Sequence, residues 1–488
     1  MVNWKKTMMA SAGGGGGWMA QLLSTSTATN QQFENAIGFN CRFLSDGSVI
    51  QQQLRRFSFS YYTTWTKWTP DGDLDFHKKI TGSGRIDTTQ LNLFVDYDDS
   101  DKIHERSRGT GTEVNGIDPD ITSYFYSGYP SNQSPTGFAW MPLTSRIYHR
   151  DAFGGMTAYR TTNGSAGTKV SYSNISGDYM GLDQGFMGDN TMGACWRENS
   201  GNNLIAARLR YDAFPGSWTK RTVIGKSASD RQTVAPNIAT TSFTHGASTS
   251  SNYDLYVAGT NEDPPYADWS YVVKYNSSDG SLAGAKIIDI VNGAGFSRSY
   301  TGARGMAVGS DGQVWVVLGE EEDQFVILHL SSSLTLNKAL RFRRNGVASN
   351  KDFSNWQYGK DYHGIDLNED GSALAFTTYL LDTNNLNRSH VTFKIPSDLS
   401  IVDGYYPLPA TTAGVSGFVG DGTNNPTTGA ASVHITDFTS SVTCIDAAYT
   451  SNVNYTLSRS ETIPQSPTSD TKTIGSDASW SDYGPESL

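Results

Sequence analysis

The feature that most constrains the fold is a short hairpin pattern that recurs along the chain. An apolar run, then Asp-Gly, then a second apolar run surrounds Gly47, Gly312 and Gly371. Asp-Gly between two such runs is a strong hairpin signal, because glycine tolerates the positive φ that tight hairpin turns require. The pattern therefore predicts repeated strand–turn–strand units.

A second pattern follows these units. A basic residue or histidine stands directly before an apolar residue, and a polar turn comes next: Lys67-Trp68, Arg210-Tyr211, Lys274-Tyr275, His329-Leu330 and Lys394-Ile395, with a looser copy at Tyr159-Arg160. From residue 210 onward the copies recur in steps of 55 to 65 residues. One hairpin followed by another on this period indicates a repeated four-stranded sheet, the blade of a β-propeller.

The number of blades depends on residues 80–150, where the repeat is irregular. Lys67 and Arg160 are 93 residues apart, which fits one blade with a long insertion or two blades whose repeat has decayed. The sequence therefore predicts an all-β fold, a β-propeller of six or seven four-stranded blades. The alternative is a pair of large β-sandwiches. The alternating residues 431–438 are expected to form a late strand that pairs with the N-terminal blade.

Changes in composition predict three segments. Residues 1–30 form an arm with a glycine hinge at Gly13 to Gly17, residues 31–445 form the propeller, and residues 446–488 form a polar tail rich in Ser and Thr. We hypothesise that Trp4 and Trp18 anchor the arm on a neighbouring subunit. The alternative is a disordered terminus.

The charge balance excludes a nucleic-acid partner. The net charge is -11, and the only basic cluster beyond pairs is Arg341-Phe342-Arg343-Arg344, whereas phosphate binding needs a basic surface. Ser11 and the glycine run interrupt the apolar residues near the start, so no signal peptide is expected. No segment approaches the roughly 20 apolar residues of a membrane-spanning helix, so no membrane span is expected.

An acidic run in the irregular region is a candidate cation site. It contains Asp96, Asp98, Asp99 and Asp101. Oxygen ligands at alternating positions of a loop suit Ca²⁺, which takes six to eight of them. The run lacks the glycine and the final glutamate of an EF-hand loop, and its alternative is a solvated acidic loop. No other cofactor is expected.

An aromatic run in the same region is a candidate ligand site. It consists of Tyr124, Phe125, Tyr126 and Tyr129, next to Gly128 and Pro130. The glycine and proline favour an exposed loop, where aromatic rings could stack on sugar rings. We hypothesise that this loop binds a ligand.

No enzyme motif is present, so the sequence predicts a protein without catalytic activity. There is no HExxH, no GxSxG and no phosphate-binding loop. A sialidase is the best enzymatic alternative, since its Asp-box also lies on hairpins. Here Gly312 follows Asp311 directly and Val314 stands where an Asp-box prefers threonine, so that resemblance fails.

Two resemblances indicate a class of protein. The runs at 254–259 and 311–319 resemble β-propeller repeats that read Asp-x-x-Gly-x-Val-Tyr-Val-x-Gly. The opening Asn3-Trp4-Lys5-Lys6 with the glycine run, and the closing Thr462-Ile463-Pro464-Gln465-Ser466, resemble the ends of structural proteins of marine tailed bacteriophages.

The second resemblance implies a virion component, such as a capsid appendage, a tail accessory protein or part of a host-adhesion device. It implies other virion proteins and a host surface glycan as partners, and synthesis in the host cytoplasm before assembly into the particle. The alternative function is a carbohydrate-binding or carbohydrate-cleaving propeller that acts on host surface glycans.

Overall fold

The computed structural model describes about three fifths of the chain. The described residues are 17–24, 40–57, 60–82, 94–97, 101, 103–108, 112–122, 124–131, 135–141, 146–151, 155–160, 169–173, 180–182, 191–197, 203–210, 218–225, 234–243, 254–261, 269–291, 302–319, 324–345, 365–382, 387–407, 432–456, 458–462, 472–476 and 480–488. Within them the chain is built almost entirely of β-strands, and the only helical element is the 3-10 turn Thr439–Ser441.

The first half contains eighteen strands. They are β1 (Trp18–Ser24), β2 (Asn40–Phe43), β3 (Val49–Phe57), β4 (Ser60–Trp68), β5 (Leu74–Gly82), β6 (Phe94–Tyr97), β7 (Ile103–Arg108), β8 (Thr112–Ile117), β9 (Tyr124–Ser131), β10 (Pro135–Met141), β11 (Arg146–Asp151), β12 (Gly155–Arg160), β13 (Lys169–Ser173), β14 (Met180–Leu182), β15 (Thr191–Arg197), β16 (Leu204–Arg210), β17 (Trp218–Gly225) and β18 (Val234–Phe243).

The second half contains seventeen more strands. They are β19 (Leu255–Asn261), β20 (Ser270–Tyr275), β21 (Leu282–Ile290), β22 (Gly302–Val308), β23 (Val314–Gly319), β24 (Gln324–Leu330), β25 (Leu336–Asn345), β26 (Ile365–Leu367), β27 (Ala373–Asp382), β28 (Asn387–Pro396), β29 (Gly404–Pro407), β30 (Ser432–Asp437), β31 (Val442–Asp446), β32 (Ala448–Asn454), β33 (Ser458–Thr462), β34 (Lys472–Ser476) and β35 (Trp480–Ser487).

These strands form seven antiparallel sheets. Sheets 1 to 6 each contain four consecutive strands in a meander, beginning with β2–β5 and ending with β22–β25, and sheet 7 contains β26–β28 together with β1. Each sheet packs against the next in chain order, and sheet 7 packs against sheet 1. The predicted all-β propeller is confirmed.

The three hairpins predicted from Asp-Gly are present at the predicted positions. Gly47, Gly312 and Gly371 have φ of +79°, +84° and +75°. The preceding aspartate accepts a hydrogen bond from the backbone two residues later, as in Ser48 N to Asp46 Oδ1 at 2.9 Å. The basic residues of the second pattern all lie on or at the end of the third strand of their sheet. The interval from Lys67 to Arg160 contains all of sheet 2, which is β6–β9, and the first three strands of sheet 3, which is β10–β13.

The ring is closed by the first described strand. β1 pairs with β28 from Trp18 opposite Lys394 to Leu23 opposite Ser389, and it thereby becomes the fourth strand of sheet 7. The expectation that residues 431–438 pair with the N-terminal blade was wrong. They contain β30, which lies between β25 and β29 in sheet 6, because the chain turns back onto that sheet after β28.

The C-terminal strands β30–β35, which we call the belt, run around the ring in the reverse direction. They add an outer strand to sheets 6, 5, 4, 3, 1 and 7 in that order. Residues 446–488 were predicted to form a polar tail. In the described residues this segment instead contributes belt strands to the sheets of the ring. Likewise Trp18–Ser24, within the predicted arm, is a strand of sheet 7.

Most of the core lies between neighbouring sheets. At the junction of sheets 6 and 7, the rings of Phe325, Phe342, Phe376 and Phe393 contact one another, stacked within each sheet and edge-to-face between the sheets, with centroids 4.6 to 6.5 Å apart. The junctions of sheets 4 and 5 and of sheets 5 and 6 are also lined by buried apolar side chains. This packing holds the sheets as one ring.

Candidate functional site

The two ends of the described chain meet at the junction of sheets 7 and 1, which we call the seam. β1 lies between β28 and β35, and the Leu488 backbone N donates a hydrogen bond of 3.0 Å to the Gly17 carbonyl. Trp18, Met19 and Ala20 are buried. One sheet is thus completed by both an early and a late segment of the chain.

Trp18 joins sheet 7 to sheet 1. Its indole Nε1 donates to the Pro70 carbonyl at 2.9 Å, in the turn between β4 and β5, and Lys394 Nζ donates to the same oxygen at 3.1 Å. The indole lies over Gly72, where φ is +89° and a Cβ would meet Trp18 Cδ2 at 2.8 Å. Only glycine fits this turn, because a larger residue would be strained and would also clash.

The same arrangement occurs between sheets 4 and 5. Trp218 begins β17, the fourth strand of sheet 4, and its Nε1 donates to the Ser277 carbonyl at 2.8 Å. Its indole lies over Gly280, where φ is +69°. Trp18 therefore occupies the position of a regular fourth-strand tryptophan, which identifies β1 as part of the repeat.

The seam contains buried polar side chains as well as apolar ones. Gln51 of sheet 1 accepts a hydrogen bond from Thr392 Oγ1 of sheet 7, and both side chains are buried. On the same face of sheet 1, Thr66 Oγ1 and His77 Nδ1 are 2.7 Å apart. Buried hydrogen bonds of this kind specify one alignment of the two sheets, because a shifted alignment would leave the groups unpaired.

A partly buried carboxylate joins the inner strands of the seam. Asp366 Oδ2 on β26 accepts a hydrogen bond from the Phe43 backbone N on β2 at 2.8 Å. Burial raises the pKa of Asp366 above its ordinary value, although the Arg42 charge and the hydrogen bonds oppose the rise. Burial also raises the pKa of the nearby Cys41 thiol well above its ordinary value, so this cysteine stays protonated and is a poor nucleophile.

The tight turns carry ionised carboxylates along one edge of the ring. Burial opposes ionisation of Asp46, but hydrogen bonds from Ser48 and Lys67 lower its pKa below the ordinary value. Hydrogen bonds from Ser281 and Ser372 lower the pKa of Asp279 and of Asp370 in the same way. Each carboxylate accepts hydrogen bonds within its own turn. This structural role explains why aspartate recurs at these turns, and it requires no bound ligand.

Of the candidate calcium ligands, the structure describes one side chain. The Asp101 carboxylate accepts hydrogen bonds from Ser45 N at 3.0 Å and from Ser45 Oγ at 2.6 Å, so it links sheet 2 to sheet 1. Asp96 lies on β6, opposite His104, and Asp98 and Asp99 lie outside the described residues. Within the described ranges, no three His, Cys, Asp or Glu residues are grouped as metal ligands.

The aromatic run lies on a strand. Tyr124, Phe125, Tyr126 and Tyr129 belong to β9, the fourth strand of sheet 2, rather than to a loop. Their side chains lie outside the described part of the structure. The hypothesis that they bind a ligand stays a prediction, and the residues concerned lie on a strand.

The structure describes one of the two anchor candidates. Trp4 lies outside the described residues, and the Trp18 side chain is 1% exposed within the ring. The apolar run Trp18-Met19-Ala20 directly after the glycines is a strand signal that the sequence analysis missed. Trp18 begins the fourth strand of its sheet, as Trp218 does in sheet 4. In the described residues no helix is long and apolar enough to cross a membrane.

Comparisons with known proteins add little beyond the fold. No family model and no curated protein matches the sequence. Similar solved structures include the mitotic checkpoint complex (10% identity, 76% of this chain, 90% of that chain, TM-score 0.40), the C-terminal WD40 domain of Sif2 (9%, 72%, 83%, 0.37) and U3-55K (9%, 76%, 98%, 0.41). The strand pairing described above is what shows the all-β propeller fold.

Proposed function

We propose that this chain is a non-enzymatic structural component of a bacteriophage virion, a ring that presents the loops between its strands. The observation that carries the proposal is the position of β1 between β28 and β35, so that both ends of the chain close one sheet. In the described residues, β1 is paired along both of its edges by strands from late in the chain, so opening the seam requires the loss of both pairings. Such kinetic stability suits a protein that works outside the cell, where a damaged copy is not replaced.

The belt supports the same function. It adds outer strands to six sheets of the described ring, so separating two sheets would require the loss of belt pairing as well as core contacts. Belt strands carry polar residues, as in β33 and β34, and are held largely by backbone hydrogen bonds. The ring therefore gains strength without the addition of an apolar surface.

Localisation tests the proposal directly. An antibody raised against the purified protein is applied to density-gradient-purified particles from the source culture, and gold label is located by electron microscopy. We expect label at one position on intact tailed particles, and none on particles of an unrelated phage. Recovery of the protein only in the soluble fraction of the lysate would refute a virion role.

A second experiment addresses the enzymatic alternative. The purified protein is incubated with polysaccharide from the host surface, and new reducing ends are followed over time, with heat-unfolded protein as the control. We expect no increase over the control. A steady rise that depends on folded protein would show a carbohydrate-cleaving activity and contradict the non-enzymatic assignment.

Truncation tests the arm. Removal of residues 1–16 leaves the Gly17 carbonyl and β1 in place, so we expect a folded ring that fails to enter particles. Removal of residues 1–24 deletes the closing strand, so we expect a loss of stability as well. Normal incorporation of the shorter truncation would remove the anchoring role from that segment.

A further inference from the structure

Polar side chains are buried on the face of sheet 1 that meets sheet 7 at the seam. Val49 and Trp68 of sheet 1 pack in one apolar cluster with residues of sheet 7. Side chains alternate along a strand, so Gln51 on β3 and Thr66 and Thr64 on β4 face sheet 7 as well. All three are fully buried. A buried polar group is costly unless it is hydrogen-bonded, so each of them requires a partner.

Sheet 7 presents two threonines to this face. Ala373 and Ala375 on β27 pack against sheet 1, so Thr377 on the same strand faces sheet 1 too. Thr392 on β28 lies directly opposite Thr377, and its hydroxyl donates to Gln51 Oε1 across the seam. Directly opposite side chains in a sheet are about 5 Å apart. The Gln51 amide group therefore lies about one strand spacing from Thr377.

Three of these polar groups lack a hydrogen-bond partner among the described residues. The atoms are Gln51 Nε2, Thr64 Oγ1 and Thr377 Oγ1. Thr66 lies directly opposite Gln51, and Thr64 is two residues further along β4, so Thr64 is a diagonal neighbour of Gln51. Diagonal neighbours are about 7–8 Å apart. One region of the seam thus contains two amide hydrogens and two hydroxyl groups that require partners.

The chemistry of these groups selects a small neutral occupant. All three side chains are uncharged, and Gln51 and Thr64 have no exposed surface. Lys79 lies opposite Thr64 but is partly exposed, so its ammonium group can stay in water. Packed sheets lie about 10 Å apart, which leaves little space between their side chains. Water both donates and accepts, and a buried water makes about three hydrogen bonds, so it matches the groups present.

We propose that the seam binds at least one structural water molecule, held by Gln51 Nε2 and by the hydroxyls of Thr64 and Thr377. The water accepts from the amide and shares hydrogen bonds with the hydroxyls, so it links sheet 1 to sheet 7. The direct contacts made by Trp18 and Asp366 lie nearer to the Asp-Gly turns. The water therefore continues the connection further along the seam. This inference concerns how the ring is closed and does not depend on the virion assignment.

Threonine-to-valine substitutions test the proposal in the full-length protein, by urea unfolding followed by circular dichroism. Valine has nearly the shape of threonine but lacks the hydroxyl. If the water is bound, Thr377→Val and Thr64→Val each remove one of its hydrogen bonds, and we expect the unfolding constant to rise about 2- to 10-fold. If the hydroxyls are simply unpaired, valine removes a buried polar group without a partner, and the unfolding constant should fall. The sign of the change therefore decides.

The double variant tests whether both threonines hold the same water. Thr64 and Thr377 lie on different sheets, so without a shared water their effects should multiply. With a shared water, the second substitution should cost less than it does in the wild type, because the water has already lost one partner. The matched control is Thr222→Val. The Thr222 hydroxyl accepts from Tyr275 OH at 2.9 Å, so this variant calibrates the loss of a direct hydrogen bond.

A high-resolution crystal structure of the wild type gives a direct readout. We expect a water within about 2.7–3.2 Å of Gln51 Nε2 and of Thr377 Oγ1, and its loss or displacement in Thr377→Val. The proposal is overturned if both valine variants are more stable than the wild type or if their effects simply multiply. It is also overturned if the crystal structure shows no water there, or shows these atoms bonded to another part of the chain.

Discussion

The contact between Trp18 and Gly72 offers a direct test of ring closure. In Gly72→Ala, the new Cβ would lie 2.8 Å from Trp18 Cδ2 and 2.8 Å from Pro485 Cβ. Trp18 cannot move aside easily, because it is buried and donates its indole hydrogen bond to Pro70. The substitution therefore presses on β1 and on β35 together.

The cost has two parts. An L-residue at the left-handed φ of Gly72 costs about 1–2 kcal/mol, and overpacking a well-filled site adds about 1–3 kcal/mol. Gly371 is the matched control, with φ of +75° and no heavy atom within 4 Å of a new Cβ, so Gly371→Ala should cost only the strain. The expected difference between the two variants is about 1–3 kcal/mol, or roughly 5- to 150-fold in the unfolding constant.

Urea unfolding followed by circular dichroism measures both variants beside the wild type. If unfolding is irreversible, the unfolding rates after a urea jump replace the equilibrium values. In a Trp18→Ala background, the extra cost of Gly72→Ala should shrink, because one of the two colliding groups has been removed. Equal stability of Gly72→Ala and Gly371→Ala would refute the packing of β1 against the turn of sheet 1.

Three further predictions concern other parts of the ring. Phe393→Ala should destabilise the junction of sheets 6 and 7 by about 3–5 kcal/mol, and Phe393→Leu by about 1 kcal/mol, in the same urea assay; similar values would contradict close packing there. Burial raises the pKa of Asp366, so the folded protein holds that proton more tightly than the unfolded chain, and stability is lost as pH rises from about 3.8 through the folded pKa. Asp366→Asn should therefore lose less stability than the wild type between about pH 4 and pH 7, as followed by thermal melts, and parallel curves would argue against this reasoning. Asp446 is 89% exposed, so Asp446→Asn, which breaks the ion pair with Lys286, should lower the melting temperature little; a drop as large as that of Phe393→Leu would show that the belt depends on this pair.

The hairpins could be predicted from the sequence because their signals are local. Asp-Gly requires a turn wherever it occurs between apolar runs, as the positive φ of Gly312 and Gly371 shows. The spacing of the basic residues in the second pattern likewise matches the spacing of the third strands along the chain. Residues 80–150 contain no Asp-Gly, so the sequence could not distinguish sheet 2 and the start of sheet 3 from a single sheet with an insertion.

The belt and the closing strand could not be predicted in this way. An outermost strand lies at the wide rim of the ring, where much of each face meets water, so Ser458–Thr462 and Lys472–Ser476 need no apolar alternation. Their partners are far away in sequence, as for β31, which pairs with β21.

These two kinds of pairing also imply an order of assembly. Each meander pairs strands that are adjacent in the chain, whereas each belt strand pairs with a strand that is already at the edge of a finished meander. Loop closure makes distant pairing slower than local pairing, so the meanders should form first and the belt should add afterwards. β35 can find its place only after β1 has paired with β28, since β1 is the edge that it covers. We therefore expect β35 to join last, because it pairs with the edge that β1 provides.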